Sequence, residues 1–261
     1  MRQLTVKGLS AGYRRSDVLS GITFSLDEGE VCAVIGPNGG GKSTLMRAIL
    51  DLGTRRRGEV RIFGSDTSRL TRIEIARLAS FLPQEYDCDA RLTVREMVLL
   101  GRHPHRSSWS MDSEEDVEIA QECMELTGVT KLSDRLFCEL SGGERRLVML
   151  ASALAQKPSI LLLDEPAASL DFRNQIDVWR LLGRLGSLGV SVLASTHEIG
   201  IASRFTDRML ALAGGRCLAF GTPGEVCTGE ILGEVFGIDL AVAPDGYGGF
   251  SVIPMPGDSR R

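Results

Sequence analysis

The sequence predicts an α/β fold with a mostly parallel sheet, antiparallel β elements at its start and a helical insertion in its middle. Short unbroken apolar runs, VCAVI (31–35), ILLL (160–163) and VSVLA (190–194), have the character of strands buried on both faces. Helical periods separate these runs, and such alternation builds a sheet covered on both sides. A glycine-rich loop, GPNGGGKST at 36–44, sits between the first run and a helix, the position of a phosphate-binding loop in such a sheet.

Taken in order, QLTVKGL, VLSGITFSL and EVCAVIG read as strands with turn punctuation. A helix runs from Lys42 to about Leu50, and GEVRIFG returns as a strand. TRRRGEV, 54–60, is a charge run and reads as a solvated turn. After ASFLPQ the character changes. Residues 93–101, 113–126 and 143–156 carry apolar positions three and four apart, the period of a helix. Thr93 with Glu96, Ser113 with Asp116 and Ser141 with Glu144 have the spacing of capping boxes, which satisfy orphan N–H groups at a helix start. Strands resume with SILLLD and GVSVLAST, separated by a helical pattern over 173–188. The expected organisation is one domain over 1–261, with a core of 1–85 and 157–261 and a helical subdomain at about 86–156.

Composition narrows the function classes. With 261 residues, 43% hydrophobic and 25% charged, the chain has ample material for a core. A net charge of −4 leaves no overall electrostatic footprint for nucleic acid. No apolar run approaches the ~20 residues that cross a bilayer, and MRQLTVKGLS lacks the apolar centre of a signal peptide. The six cysteines (Cys32, Cys88, Cys123, Cys138, Cys217 and Cys227) include no CxxC pair, which suits small buried thiols in a reduced compartment better than a disulfide or zinc framework.

The chemistry concentrates in a few motifs. Gly36, Pro37, Asn38, Gly39, Gly40, Gly41, Lys42, Ser43 and Thr44 satisfy the Walker A pattern. Its glycines let successive N–H groups face phosphates, and the helix end adds positive charge. Lys42 supplies an ammonium for the β- and γ-phosphates, and the Ser43 hydroxyl a ligand for Mg²⁺. SILLLDEP sets Asp164 and Glu165 at the C-terminal end of a buried strand, where open α/β sheets bind ligands. Asp164 is the natural Walker B group for Mg²⁺, and Glu165 is placed to orient or deprotonate an attacking water. Gln84 and His197 also stand just past strand ends, on the same edge. Each alone reads as a turn or packed residue; the shared edge makes them site candidates.

With these motifs in order along nearly its whole length, the chain resembles the nucleotide-binding subunit of an ABC transporter. The resemblance implies a RecA-like P-loop NTPase core, ATP and Mg²⁺ as ligands, and ATP hydrolysis. Tyr13 in SAGYR matches the aromatic that stacks on adenine. Gln84 matches the Q-loop glutamine, which senses Mg²⁺ and the membrane partner. LSGGE, with Ser141, Gly142, Gly143 and Glu144, matches the family signature; Asp171 in AASLD belongs to the D-loop, and His197 is the switch histidine at the γ-phosphate. In the family two subunits pair head to tail, so each signature covers ATP held by its twin. The exposed N–H groups of the Ser141 turn then face a γ-phosphate, with the Ser141 hydroxyl accepting from the backbone while donating to that phosphate.

The segment LTVREMVLLGRHPHR, 92–106, follows the Q-loop, where family subunits receive a cytoplasmic helix of their permease. Its GR-x-PH element and the tail VFGIDLAVAPDGYGGFSVIP resemble the ATPases of iron–siderophore, haem and cobalamin importers. That resemblance implies a second copy of the chain, permease subunits contacted near 84–106, a periplasmic or extracellular binding protein acting indirectly, no nucleic acid, and a peripheral place on the cytoplasmic face of the cell membrane. Two departures stand out. Arg145, Arg146 and Leu147 occupy positions where the family commonly has RQR, which bears on hydrogen bonds around the signature, and Glu198 replaces the aspartate that usually follows the switch histidine. Other readings at this point are a soluble ABC ATPase, a nucleotide-gated module without turnover, and an importer ATPase for molybdate or another metal.

Overall fold

The computed structural model describes residues 2–14, 16–84, 91–106 and 113–255. The expected boundary at 86, Cys88 and the 85–90 part of the expected permease contact lie outside the described residues. The chain opens with the antiparallel pair β1 (Arg2–Tyr13) and β2 (Ser16–Asp27), enters the core as β3 (Val31–Ile35) and leaves it through α1 (Lys42–Ile49). It then returns to pair with β1 as β4 (Arg55–Ile62), which is edged by the short β5 (Ser65–Asp66). Next come α2 (Arg72–Leu78), β6 (Ala79–Leu82), and a helical stretch of α3 (Val94–Leu99), α4 (Glu114–Leu126) and α5 (Gly142–Ala155). The core resumes as β7 (Ile160–Leu163), α6 (Phe172–Ser187), β8 (Ser191–Thr196), α7 (Ile199–Ala202), β9 (Arg208–Ala213) and β10 (Arg216–Gly221). Last are α8 (Pro223–Val226), α9 (Gly229–Phe236) and the hairpin of β11 (Leu240–Pro244) and β12 (Phe250–Pro254).

Among the described residues, β10-β9-β3-β8-β7-β6 form one six-stranded sheet, parallel except for the β9–β10 hairpin. Every residue of β3, β7 and β8 is buried, because alternate side chains serve two different cores. Cys32, Val34, Ile160 and Leu162 face α1 and the four-stranded β2-β1-β4-β5 sheet. Ala33, Ile35, Leu161 and Leu163 face the helical stretch and α6. The unbroken apolar runs are the sequence record of this double coverage. Cys32, Cys123 and Cys227 are buried, Cys217 half-buried and Cys138 exposed, and these five are all free thiols.

The three capping boxes expected at Thr93, Ser113 and Ser141 are all formed. The charge run is a correction: residues 55–62 are a strand, not a solvated turn. Arginine stems lie along a sheet surface while their heads find partners. Here Arg56 donates to Ala48 O at 3.1 Å and to Thr67 Oγ1 at 2.8 Å, and Arg55 and Arg57 both reach Asp17 on the neighbouring hairpin. The helix α2, which no sequence expectation covered, carries a capping box of its own at Thr71 and Glu74.

The GRHPH segment is a 3₁₀ turn over Leu100–His105 that follows α3 directly, so the helix expected to 101 ends at Leu99. Its glycine is needed because a Cβ on Gly101 would lie 2.0 Å from Ser152 O of α5. Arg102 is buried; its Nε donates to Asp116 Oδ1 at 2.7 Å and its Nη1 to Ala155 O at 2.8 Å. The guanidinium holds the Asp116 carboxyl below the usual carboxylate range. Asp116 also accepts from the Ser113 hydroxyl and so closes the α4 cap. Asp116→Ala leaves a buried guanidinium unpaired and is expected to cost about 3–5 kcal/mol in urea unfolding, with Asp116→Asn intermediate.

The terminal hairpin is fastened to α7. Asp245 Oδ2 accepts from Arg204 Nε at 2.9 Å and Nη2 at 2.6 Å, and the Phe250 N–H donates to Ser203 Oγ at 3.1 Å.

Candidate functional site

The sheet order sets four loops side by side. Strands β3, β8, β7 and β6 are consecutive neighbours and parallel, so the loops leaving their C-terminal ends share one edge. Those loops carry the glycine-rich segment, His197, the Asp164–Glu165 pair and Gln84 respectively. Ligands bind at this edge of open α/β sheets.

The glycine-rich turn is shaped by its packing on β9. A Cβ on Gly36, whose φ is +155°, would stand 1.9 Å from Leu212 O, so no larger residue fits there. Lys42 begins α1 and curls back over the loop, its Nζ donating to Gly36 O at 2.8 Å and Pro37 O at 3.1 Å. Burial draws its ammonium below the usual lysine value, and the charges of Glu165 and Asp164 oppose that pull. A cavity of 240 Å³ lies over this helix end, lined by Asn38, Gly39, Gly40, Gly41, Lys42, Ser43, Thr44, Val18, Gln84 and Glu165.

Glu165 is the centre of the opposite wall. Its Oε2 accepts from Gln84 Nε2 at 3.1 Å, and its Oε1 lies 2.9 Å from His197 Nε2. The same histidine nitrogen is 3.4 Å from Lys42 Nζ, so lysine, histidine and carboxylate form one continuous polar chain. Glu165 has a φ of +53°, an uncommon backbone for a residue with a side chain, which marks the loop as held by its surroundings. Asp164 is buried, 2% exposed, and its Oδ1 accepts from Ser195 Oγ at 2.6 Å. Ser195 also accepts the Glu165 N–H at 2.9 Å, so one buried hydroxyl orients both acidic residues. Sequence reasoning passed over Ser195. Its signal was a hydroxyl inside a buried apolar strand, two residues before His197.

Tyr13, Ser141, Gly142, Gly143, Glu144 and Asp171 do not line that cavity. Tyr13 ends β1 opposite Ser16. Asp171 caps α6, its Oδ1 accepting from the Asn174 N–H at 2.8 Å. Ser141 caps α5, and here a detail differs from expectation. Its Oγ accepts from the Glu144 N–H at 3.3 Å but donates to Glu144 Oε2 at 2.8 Å, so the hydroxyl proton is turned inward. The Ser141 backbone N–H, followed by its hydroxyl, lowers the Glu144 carboxyl from its ordinary value. Glu198, the other departure, precedes α7 with its N–H donating to Thr196 Oγ1 at 3.0 Å.

Ser43 and Gln84 line the cavity and the charge of buried Asp164 acts on Lys42, so the oxygens of all three are of the kind suited to a small hard cation. The arrangement combines an anion-binding helix end, a buried cation, and a carboxylate held between an amide and an imidazole. That set can hold a polyphosphate and deliver a base to a water beside it.

Comparison with known proteins gives the family. The model of the ABC transporter family matches residues 19–168. The ferric enterobactin transport ATP-binding protein FepC of Escherichia coli is 35% identical over 249 residues, covering 95% of this chain and 92% of its own. A chain from an inward-facing structure of a metal-chelate type ABC transporter superposes with a TM-score of 0.83 at 27% identity, covering 98% of each. The dimeric, post-hydrolysis structure of the ATP-binding cassette MJ0796, bound to ADP and phosphate, gives 0.74 at 28% identity, covering 84% of this chain and 98% of that one. The chain therefore belongs to the ABC transporter family, as one of its ATP-binding, ATP-hydrolysing subunits.

Proposed function

We propose that this chain energises an importer of metal chelates of the iron–siderophore, haem or cobalamin class, hydrolysing ATP as a head-to-tail dimer beneath a membrane permease. The observation that carries the reading is Glu165, held at hydrogen-bond distance by Gln84 and His197 across from Lys42. Glu165 is the general base for the attacking water, Gln84 orients that water and the cation, and His197 contacts the γ-phosphate. Gly36, Pro37 and Gly40 shape the turn, the Gly40 N–H donating to Pro37 O at 3.1 Å, while Asn38, Gly39, Gly41 and Thr44 offer backbone N–H groups to the phosphates, Lys42 neutralises the β- and γ-oxygens, and Tyr13 stacks on adenine. Ser43, Asp164 and Gln84 are the residues that hold Mg²⁺, which supplies charge for the phosphate oxygens when bound.

In this reading Ser141, Gly142, Gly143, Glu144 and Asp171 act on the second copy's nucleotide, consistent with their position outside the chain's own cavity. On closure the Ser141 hydroxyl turns from Glu144 to the incoming phosphate. The domain division follows the same logic: a core of 1–85 and 157–261 holds the nucleotide, and a subdomain of 86–156 presents the signature. No described helix is long and apolar enough to cross a membrane, which fits a peripheral subunit on the cytoplasmic face. A binding protein on the far side delivers cargo without touching this chain, and nucleic acid has no part.

The permease contact proposed here is the segment near 84–106, together with a cavity lined by Leu50, Leu52, Arg72, Ile75, Ala76, Ala79, Phe81 and Gln156 beside α2, the helix that Arg77 ties to that segment. Leu52, Ile73 and Leu100 are exposed, Leu52 lines the cavity, and Arg77 Nε joins α2, which carries Ile73, to Pro104 O of the GRHPH turn at 2.9 Å. The test is co-purification of the chain from membranes with a many-span protein, together with Mg²⁺-dependent ATP hydrolysis by the complex. Leu52→Asp and Leu100→Asp are expected to weaken that association by about thirtyfold or more, measured by capture from detergent, while ATP binding persists. A chain that hydrolyses ATP but captures no membrane protein would overturn the importer reading.

A further inference from the structure

Arg146 lies in α5, five residues beyond the Ser141 cap, and its contacts exceed what an amide side chain at this position could supply. Its guanidinium is buried, 5% exposed, and reaches two separate loops from α5. Nη1 donates to Pro83 O at 2.7 Å and Gln84 O at 3.1 Å, while Nη2 donates to Glu165 O at 2.9 Å and also to Asp164 O. A glutamine amide has two N–H donors; the planar guanidinium has five in a fixed fork. One side chain thus links the carbonyls of the loop after β6 with those of the loop after β7. It does so from the helix whose first turn is Ser141, Gly142 and Gly143.

The contacted carbonyls belong to residues that matter. Gln84 and Glu165 meet through their side chains in the hydrolytic site, and Glu165 holds its unusual backbone at this point. Fixing both peptide groups from one donor fixes the spacing between amide and carboxylate. Ser195 secures the same loop from the other side through the Glu165 N–H. The helix that carries the clamp also carries the turn offered to a second copy.

We propose that Arg146 is a positioning residue that locks α5 to the Gln84 and Glu165 loops, so that the hydrolytic carboxylate of one site and the signature turn lent to the partner's site shift together. The inference rests on the reading of Glu165 as the base. Hydrogen bonds from a charged donor to several carbonyls are strong and directional, and replacing the fork removes the tie without touching nucleotide directly. Small misplacements of a reacting group are costly: a shift near 1 Å lowers rates by roughly 100-fold.

The test compares Arg146→Gln and Arg146→Lys with the parent in the full dimer-forming protein, by ATP titration of turnover, equilibrium binding of a fluorescent ATP analogue and thermal melting. Arg146→Gln is expected to lower kcat by roughly 10- to 100-fold with nucleotide affinity held, and to weaken cooperativity in ATP. Arg146→Lys keeps the charge without the fork and is expected to fall between parent and Arg146→Gln. Unchanged kcat and cooperativity in folded Arg146→Gln would overturn the proposal. So would losses of kcat and affinity that fall together in step with melting temperature, since that is a general structural defect. Glu165→Gln, assayed alongside, separates the two readings: if it retains turnover, the assignment of the base fails, whatever Arg146 does. If it abolishes turnover while Arg146→Gln is inert, only the clamp fails.

Discussion

Replacing Glu165 by glutamine is expected to lower steady-state ATP turnover by roughly 100- to 10,000-fold while ATP affinity stays within about twofold. The glutamine keeps the size of the side chain and one acceptor oxygen but removes the group that takes a proton. In free energy this is about 3–5 kcal/mol of transition-state stabilisation. The neighbours make the effect clean. Gln84 donates to one carboxylate oxygen and His197 contacts the other, so an amide at 165 still has partners and the loop keeps its shape. Because nucleotide persists, the variant is expected to accumulate as an ATP-bound dimer, seen by size-exclusion chromatography with and without ATP. Turnover unchanged from the parent would place the base elsewhere, and turnover lost together with ATP binding would mean that Glu165 serves to hold nucleotide.

Ser141→Arg is expected to abolish ATP-dependent dimerisation and to reduce turnover at least about 100-fold, although the variant's own phosphate loop is intact. The substitution removes the cap oxygen that accepts from Glu144 N–H, a loss of about 1 kcal/mol at the start of α5. Stability alone therefore does not explain a large effect. What dominates is the bulky cation placed where the twin's triphosphate is to meet bare N–H groups. Mixed dimers separate this from damage within one chain. A dimer pairing a Ser141→Arg subunit with a Lys42→Ala subunit has one composite site with both changes and one with neither. Turnover well above that of either variant alone is the expected outcome. If the mixed dimer is as inactive as the separate variants, the signature turn acts on its own chain's nucleotide.

Much of the fold was legible because burial on two faces leaves an uninterrupted trace. The runs 31–35, 160–163 and 190–194 fall on β3, β7 and β8, whose residues are all buried. The capping boxes were legible because they are local, needing four residues and no knowledge of the fold. Sheet order is not local. That Gln84, Glu165, His197 and the lysine loop end on neighbouring strands follows from the pairing of β3, β8, β7 and β6, which no spacing in the chain encodes. The misses share one physical cause: pattern reading treats a polar or charged residue as bound for water. It set TRRRGEV outside the sheet, although the arginine stems cover β4 and their heads bond Ala48, Thr67 and Asp17. It did not foresee that Arg102, within the GRHPH segment, is buried against Asp116. It passed over Ser195, and it noticed Arg146 as a departure without foreseeing the four carbonyls it gathers. In each case a fixed partner holds the polar group, and for Arg56, Arg102, Ser195 and Arg146 it replaces solvent; partners belong to the fold.

The fastening of the last hairpin bears on handling the molecule. Arg204 and Ser203 anchor that hairpin at the end of the short helix whose first residue, Ile199, lies two positions beyond His197. Tugging on the hairpin thus pulls a lever whose far arm is the imidazole beside the reacting carboxylate. Trimming the chain back to 239, or hanging a bulky fluorophore near Asp245, is predicted to register in catalysis before it registers in solubility.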